Sequence, residues 1–252
     1  MKTALIGYTG LVGSHLNRQL VCHGKYNRKN IEEIRGKQYD LIICAGMYGT
    51  KWYANKFPEE DLEAIYQLIN SLKGVNCGYL VLMSTVDVYK YPVAVDEDTT
   101  VDTDGLHSYG KHRYMVETFV REHFEQHLIV RLPALFGQGL KKNFLYDLIH
   151  DQCLHWTHKD SQYQYYNLAY LWQDVQRAMK AGISLLHVNS EPITARELAQ
   201  VCFQKDFLNE TDAKPMLYDV RSRYVKHDGH SPYMYSKNHV MADIKRFIKE
   251  IG

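Results

Sequence analysis

Near its start the chain reads TALIGYTGLVGS, residues 3–14. An unbroken apolar run leads into three glycines spaced as GxxGxxG, and apolar residues with helical spacing follow from Leu11. In such a strand–turn–helix unit the first glycine permits a tight turn, the second lets the backbone approach a diphosphate, and the third lets helix and strand pack closely. Unpaired N–H groups at the helix start then face the phosphates. The motif predicts dinucleotide contacts from Gly7, Thr9, Gly10, Leu11, Val12 and Gly13; a glycine-rich turn without a ligand is the alternative.

The composition is that of an ordinary globular protein, with 45% hydrophobic and 23% charged residues among 252. A net charge of +1 provides no strong field for nucleic acid or for a membrane surface. The five cysteines are scattered without metal-site spacing, which indicates reduced thiols and no metal. The first apolar run ends at Gly7 and polar residues follow, which is atypical of a secretory signal. We therefore expect a cytoplasmic protein whose partner is a small molecule.

Strand and helix signals alternate through the first 135 residues. Predicted strands cover 3–7, 39–45, 79–83 and 127–132, and predicted helices cover 11–22, 58–72 and 108–124. Continuous apolar strands that alternate with helices are typical of a parallel sheet covered on both faces. We predict an α/β fold, with a Rossmann-type doubly wound parallel sheet in residues 1–135. Residues 136–252 are predicted to complete the sheet and to form a small C-terminal substrate lobe.

Residues 26–32 indicate which dinucleotide is preferred. In a site specific for NAD, an acidic residue about 20 positions after the glycines binds the ribose diol. This stretch contains Arg28 and Lys29, and no acid before Glu32. Basic side chains there pair with a 2′-phosphate, so NADP is predicted over NAD. Two basic residues on a solvated loop are the alternative interpretation.

The segment SYGKHR, residues 108–113, opens a predicted helix and contains a candidate acid/base. Tyr109 and Arg113 are four residues apart and therefore share a helix face. A fixed cation nearby stabilises a phenolate and lowers the tyrosine pKa. A hydroxyl from Ser84 or Thr85, at the end of a predicted strand, is expected to hydrogen-bond the substrate oxygen that Tyr109 protonates. Asp61, in the first turn of the helix that starts at 58, is interpreted as a simple helix-start acid.

Five motifs occur in order, and together they resemble the NAD(P)-dependent epimerase/dehydratase family, the extended short-chain dehydrogenases. The motifs are GYTGLVGS, CAG at 44–46, STVDVY at 84–89, SYGKHR at 108–113 and RLPALFGQG at 131–139. The resemblance covers residues 1–200, and the short stretch between the second and third strands is similar to dTDP-4-dehydrorhamnose reductases. It implies that Thr85 is the catalytic hydroxyl and Tyr109 the acid/base. Arg113 stands where the family has a lysine that binds the nicotinamide ribose, and its fork is expected to donate to the ribose diol.

The resemblance also implies further ligands. Cofactor contacts are expected from Cys44, Ala45, Gly46, Ser84, Tyr109, Arg113 and Pro133, and substrate contacts from Tyr48, Asp87 and Asn143. Dehydratases of the family have an acid where this chain has Val86, which argues against a dehydratase. Asp87 remains either a substrate-binding acid/base or a turn-capping residue.

Three functions are compatible with these residues. The leading prediction is an oxidoreductase or epimerase that acts on a nucleotide-linked sugar. The alternatives are a non-catalytic NADP-binding sensor or partner module, suggested by the replacement of lysine by Arg113, and a reductase of a non-nucleotide carbonyl substrate. The resemblance also implies a homodimer formed through the helices at 58–72 and 108–124.

Overall fold

The chain divides into two compact units, each assembled from segments that are distant in the sequence. The first comprises Met1–Lys90, Thr100–Arg131 and Tyr170–Leu186, and the second comprises Tyr91–Thr99, Leu132–Ala169 and His187–Gly252. The computed structural model describes residues 1–225 and 231–251, so residues 226–230 and Gly252 of the predicted C-terminal segment lie outside the described residues.

The regular elements follow the alternation expected from the sequence. The strands are β1 (Thr3–Ile6), β2 (Gly24–Tyr26), β3 (Gln38–Cys44), β4 (Asn76–Thr85), β5 (Val93–Val95), β6 (His127–Leu132), β7 (Ala134–Phe136), β8 (Gln162–Tyr163), β9 (Tyr165–Asn167), β10 (Leu185–His187), β11 (Ile193–Thr194) and β12 (Asp219–Val220). The helices are α1 (Leu11–Gln19), α2 (Lys51–Lys56), α3 (Pro58–Leu72), α4 (Ser108–His123), α5 (Phe144–His150), α6 (Leu171–Lys180), α7 (Ala195–Phe203) and α8 (Lys237–Ile251). Short 3-10 turns occupy Ile31–Ile34, Val86–Val88, Leu154–Trp156 and Leu168–Tyr170.

Among the described residues, six strands form the central sheet in the order β10-β6-β4-β3-β1-β2. β1 pairs in parallel with both β2 and β3, and β3 pairs in parallel with β4. The apolar runs of β1 and the second half of β4 are buried throughout, as expected for strands covered on both faces. The predicted doubly wound parallel sheet is therefore confirmed.

The strand order places a switch point beside β1. The chain passes from β1 to β2 on one side and then returns to β3 on the other side. The loops that leave β1 and β3 diverge there, which creates the crevice in which such sheets bind ligands, at the carboxyl ends of the strands. The glycine-rich turn follows β1, so the topology brings it to this crevice.

The helix after that turn is shorter than the sequence pattern predicted. It was expected to extend to Cys22, but α1 ends at Gln19 because Leu20 adopts an extended backbone, with φ −144° and ψ 156°. Apolar spacing alone does not reveal this end, since Leu20 continues the pattern of Leu16.

Each unit has its own apolar core. In the first unit, buried side chains of the sheet pack against α3 and α4, including Ile42, Leu82, Leu68 and Val116. In the second unit the cluster is built from Phe136, Phe144, Leu145, Leu148, Tyr165, Ile193, Ala195, Leu198, Ala199, Phe207, Val240, Met241, Ile244 and Phe247. No helix within 1–225 or 231–251 combines the length and the apolar character needed to cross a membrane.

Candidate active site

The glycine-rich turn has the close contacts that its motif predicts. Gly7 has φ +83°, and a Cβ there would lie 2.1 Å from the carbonyl oxygen of Ala45, at the end of β3. A Cβ on Gly13 would lie 2.0 Å from the carbonyl oxygen of Gly7. Both positions therefore exclude any side chain. The turn packs α1 tightly against β1 and places it beside the loop after β3.

Gly10 differs from the other two glycines because it faces open space. A Cβ there would meet only the Gly7 carbonyl oxygen, at 3.5 Å. Gly10 is the residue before the first turn of α1, and as a glycine it offers no side-chain acceptor to the N–H groups of that turn. An open glycine beside an uncapped helix start fits a diphosphate, which supplies the acceptors that the first N–H groups lack.

Two predicted ligands, Arg28 and Tyr48, contact each other. Arg28 Nη1 donates to the Tyr48 hydroxyl at 2.5 Å, and its guanidinium lies over the Tyr48 ring, 5.5 Å from the centroid. Both side chains are exposed, as is Lys29. Arg28 follows β2, the strand whose end was expected to hold a 2′-phosphate. Tyr48 was expected to contact the substrate, and that contact stays a prediction; its side chain lies against the predicted cofactor residue Arg28.

Tyr109 is fixed by the start of α4. Its backbone N–H donates to Asn55 Oδ1 of α2 at 2.9 Å, and the next N–H, of Gly110, donates to His107 Nδ1 at 3.0 Å. A Cβ on Gly110 would lie 2.2 Å from the carbonyl oxygen of Asp87. The glycine therefore permits the first turn of α4 to approach the segment that follows β4.

Thr85 and Tyr109 meet at this approach. The Thr85 hydroxyl hydrogen-bonds the Tyr109 phenol, and both side chains are buried. Burial raises the pKa of Tyr109 to about 12, while the Arg113 charge and the Thr85 hydrogen bond act to lower it. The sequence led us to expect a net lowering by the nearby cation. The expected effect of Arg113 is present, but the loss of water around the phenol outweighs it.

Arg113 makes an extensive set of contacts. Nη1 donates to Asp61 Oδ2 at 2.5 Å and Nη2 to Asp61 Oδ1 at 2.9 Å, while Nη2 also donates to the backbone oxygen of Tyr48 at 2.5 Å. The guanidinium carbon lies 4.1 Å from the centroid of the Tyr109 ring. The fork that was expected to face a ribose diol donates here to Asp61 and to a backbone carbonyl.

Asp61 lies in the first turn of α3, as expected, but it is more than a simple helix-start acid. It is a buried carboxylate with a bidentate arginine partner. His112 Nδ1 lies 2.7 Å from Asp61 Oδ2, so two neighbouring residues of α4 meet this carboxylate. Asp61 and Arg113 are 52 positions apart, and only the packing of α3 against α4 brings them together.

Thr85 caps the turn that contains Asp87, because its hydroxyl accepts from the Asp87 N–H at 3.1 Å. The Asp87 carboxylate pairs with Lys51 Nζ of α2 at 2.7 Å, and both side chains are partly exposed. Burial lowers the pKa of His107, and the Lys51 ammonium acts in the same direction. The partly exposed Lys51–Asp87 pair lies beside the Tyr109 phenol. The Asp87 charge acts to raise the pKa of that phenol.

The hydroxyls of Ser84 and Thr85 have different partners. The Ser84 hydroxyl donates to Glu117 Oε1 at 2.5 Å. Glu117 also accepts from Arg131 Nε at 3.0 Å and Nη2 at 2.6 Å, and the carboxylate is fully buried. Ser84 is therefore part of an internal network, and Thr85 is the hydroxyl that meets Tyr109.

The remaining predicted residues have local environments of different kinds. Cys44 is fully buried at the end of β3, and Ala45 and Gly46 follow it in the loop beside Gly7. Pro133 links β6 to β7. Asn143, in the second unit, caps α5: its Oδ1 accepts from the Tyr146 N–H at 3.1 Å, and its Nδ2 donates to the Leu135 carbonyl at 2.9 Å. Its predicted substrate contact stays a prediction.

Sequence reasoning missed several residues that support this site. Asn55 caps α4, Glu117 pairs with Arg131, and Asp61 binds Arg113. Their partners lie elsewhere in the chain, so no local spacing identifies them. The pairing of Lys51 with Asp87, across 36 positions, was not foreseen either.

The sequence matches no protein-family model and no curated protein. Its fold, however, matches solved structures along the whole chain. The structure of dTDP-4-dehydrorhamnose reductase from Bacillus anthracis in complex with NADP has a TM-score of 0.75 and 20% sequence identity, covering 99% of both chains. The same enzyme from Yersinia enterocolitica has a TM-score of 0.74 and 15% identity, again covering 99% of both chains.

A related enzyme of another activity has a similar score. UDP-N-acetylglucosamine 4-epimerase from Methanobrevibacter ruminantium, in complex with UDP-N-acetylmuramic acid, has a TM-score of 0.74 and 11% identity, covering 99% of this chain and 97% of the other. These likenesses show that the chain has the α/β fold that these sugar-nucleotide reductases and epimerases share. The Rossmann-type fold predicted from the sequence is confirmed.

Proposed function

We propose that this chain is an NAD(P)-dependent oxidoreductase or epimerase acting on a nucleotide-linked sugar. The observation that carries the proposal is the hydrogen-bonded pair of Tyr109 and Thr85 at the end of β4. β1 and β4 run in the same direction, so their carboxyl ends lie at the same edge of the sheet. The uncapped start of α1 and the tyrosine pair therefore border one crevice, as a dinucleotide with a reactive ring requires.

The residues present fit a dinucleotide cofactor. Gly10 leaves room where a Cβ would stand, and the first turn of α1 has no side-chain cap. The loops at 7–13 and 44–46 would hold the diphosphate and its neighbouring groups, and Ser84 and Pro133 are retained as candidate cofactor contacts. Arg28 and Lys29 favour NADP over NAD, because they offer cations for a 2′-phosphate. When bound, a nicotinamide cofactor supplies hydride acceptance or donation.

The proton chemistry is assigned to Tyr109. In the reductive direction its phenol donates a proton to the carbonyl oxygen of the substrate, and in the oxidative direction the phenolate removes one from a hydroxyl. Thr85 orients the same oxygen through its hydroxyl. The raised pKa of Tyr109 keeps the phenol protonated near neutral pH, which suits the role of acid.

A sugar substrate is favoured by the pair next to the phenol. Asp87 and Lys51 offer an acceptor and a donor within a partly exposed pair, which suits neighbouring hydroxyl groups. Similar folds have been solved with UDP-glucose and NAD and with UDP-N-acetylmuramic acid. We assign the same class of substrate here, with Asn143 retained as a candidate ligand. A homodimer through α3 and α4 is also part of the proposal, and sedimentation velocity tests it.

The test uses two pairs of cofactor and sugar substrate, one for the reductive and one for the oxidative direction. Purified protein is incubated with NADPH and dTDP-4-dehydrorhamnose, and separately with NAD and UDP-glucose, while absorbance at the nicotinamide band is followed. Turnover in either pair that is lost in Tyr109→Phe supports the proposal. For the epimerase form, the sugar products are separated by chromatography, because no net oxidation is expected.

Two other outcomes point to the alternatives. NADPH binding without turnover of any nucleotide sugar, unchanged by Tyr109→Phe, would support a non-catalytic binding module. Turnover of a simple carbonyl compound but of no nucleotide-linked sugar would support a reductase with another substrate class. Mass spectrometry of the nucleotide that copurifies identifies the cofactor independently of turnover.

A further inference from the structure

The two amino nitrogens of Arg113 have so many hydrogen-bond partners within the protein that none of their N–H bonds remains for a cofactor ribose. An arginine has four terminal N–H bonds and one on Nε. Nη1 donates to Asp61 and, at 3.4 Å, to the backbone oxygen of Tyr109; Nη2 donates to Asp61 and to the Tyr48 carbonyl. All four terminal N–H bonds are directed at protein oxygens. The remaining donor of Arg113, Nε, is buried and has no hydrogen-bond partner.

The same guanidinium lies over the ring of Tyr109, with its carbon 4.1 Å from the ring centroid. The side chains of Asp61 and Arg113 are each only 2% exposed. A buried carboxylate that binds both amino nitrogens fixes the position and the plane of the guanidinium. Without such a partner, the long arginine side chain has many rotamers. Asp61 therefore decides where the cation sits relative to the phenol.

We propose that Asp61 is a positioning residue, which holds Arg113 over the Tyr109 ring so that the arginine acts as a fixed cation and not as a fork for the cofactor ribose. The proposal rests on the proposed function in one respect, that Tyr109 handles the proton. It deepens that function by assigning a role to a carboxylate that no sequence motif marks. It also explains how arginine replaces lysine at position 113.

Lysine cannot take over this arrangement. An ammonium has one nitrogen, so it cannot span both oxygens of Asp61 and the Tyr48 carbonyl in the geometry that the two amino nitrogens have here. It also lacks the flat delocalised group that lies over the Tyr109 ring. His112 adds a second contact to Asp61, at 2.7 Å, so the carboxylate stays in place between α3 and α4.

The direction in which the pKa of Tyr109 changes in Asp61→Asn distinguishes a positioning role of Asp61 from a purely electrostatic one. The charged and polar groups that act on Tyr109 are Arg113 and Thr85, which lower its pKa, and Asp87 and Asp61, which raise it. If Asp61 acts only through its own charge, Asp61→Asn lowers the tyrosine pKa. If Asp61 holds Arg113 in place, the same change releases the cation, whose effect is larger, and the pKa rises.

The experiment places 3,5-difluorotyrosine at position 109 and follows its ionisation by fluorine NMR. The ring fluorines lower the intrinsic pKa of the phenol, which brings the titration into a range where the protein stays folded. Only one residue is labelled, so the other tyrosines do not interfere. Glu59→Gln is the matched control, because it removes an exposed acid from the same first turn of α3.

The proposal predicts a higher pKa in Asp61→Asn and no change in Glu59→Gln. A lower or unchanged pKa in Asp61→Asn would overturn it. The titration needs neither substrate nor turnover, so it gives a result even if the proposed enzymatic function fails.

Arg113→Lys is the second variant, in case Asp61→Asn does not fold. It keeps the charge and leaves Asp61 paired, yet it should raise the pKa of the labelled phenol as well. If dTDP-4-dehydrorhamnose and NADPH are turned over, kcat should fall about 10–100-fold in either variant. The Kd for NADPH should stay within about threefold of the wild-type value, since the fork does not hold the ribose. An Arg113→Lys protein with wild-type kcat and an unshifted phenol would refute the proposal.

Discussion

Two alanine substitutions in the glycine-rich turn are predicted to affect different properties, one NADPH affinity and the other stability. Gly10→Ala adds a methyl group to an open position, and Gly13→Ala adds one to a closed position. The two changes are chemically identical and three residues apart, so each serves as the control for the other. Together they separate the contribution of the turn to folding from its contribution to cofactor binding.

The structure sets the expected magnitudes. Gly10 has φ −76° and ψ 171°, which alanine adopts without strain, and its Cβ would have no atom nearer than 3.5 Å. Replacing glycine by alanine makes the unfolded chain less flexible, which raises the free energy of unfolding by about 0.4–1 kcal/mol. Alanine is a poorer residue than glycine before a helix, by an amount of similar size. The free energy of unfolding of Gly10→Ala is therefore expected within about 1 kcal/mol of the wild type.

Gly13→Ala is expected to destabilise the fold. Its Cβ would stand 2.0 Å from the Gly7 carbonyl oxygen and 2.9 Å from the Tyr8 Cα, both backbone atoms of the tight turn. Alanine is favoured over glycine inside a helix by about 1 kcal/mol. Forcing α1 away from β1 costs about 1–3 kcal/mol or more, which outweighs that gain.

The assays are urea unfolding followed by circular dichroism, and fluorescence titration with NADPH. Gly10→Ala should keep its stability and lose at least about tenfold in NADPH affinity, or 1.4 kcal/mol, because the methyl group occupies the approach to the first N–H groups of α1. NADPH affinity equal to the wild type in Gly10→Ala would refute the assignment of the turn to the diphosphate. Wild-type stability in Gly13→Ala would refute the packing argument.

Three further predictions concern the surroundings of the tyrosine. Glu117→Ala removes the carboxylate that pairs with the buried Arg131 and should cost about 3–5 kcal/mol in urea unfolding, whereas Glu122→Ala, at an exposed site on the same helix, should cost little. The pKa of Tyr109 is raised by burial to about 12 from 10.0, so the unfolded state loses this proton first. Stability should therefore fall as pH rises from 10 towards 12, and less steeply in Tyr109→Phe; an equal slope would contradict the argument. Lys51→Met should raise the KM for the sugar probe about tenfold while NADPH affinity is unchanged, and an unchanged KM would remove this residue from the substrate site.

The sequence alone was sufficient for the sheet and for the packing of the glycine-rich turn. The apolar runs in β1, β3 and β4 predict buried strands, because a strand covered on both faces has no solvent-exposed face that would carry polar side chains. The glycines at 7, 10 and 13 work within one strand–turn–helix unit, so their spacing carries their role. Tyr109 and Arg113 are neighbours on one helix turn, and helical geometry predicts that contact too.

Only the tertiary structure decided which partners complete the site. Asp61 meets Arg113 across 52 positions, and Lys51 meets Asp87 across 36. Such contacts depend on how separate elements pack against each other, which no local periodicity of the sequence predicts. The choice between Ser84 and Thr85 has the same origin, because successive residues of a strand face opposite sides and the packed neighbours decide which side is the crevice. Burial, which raises the tyrosine pKa against the effect of its cation, also arises only when the chain is folded.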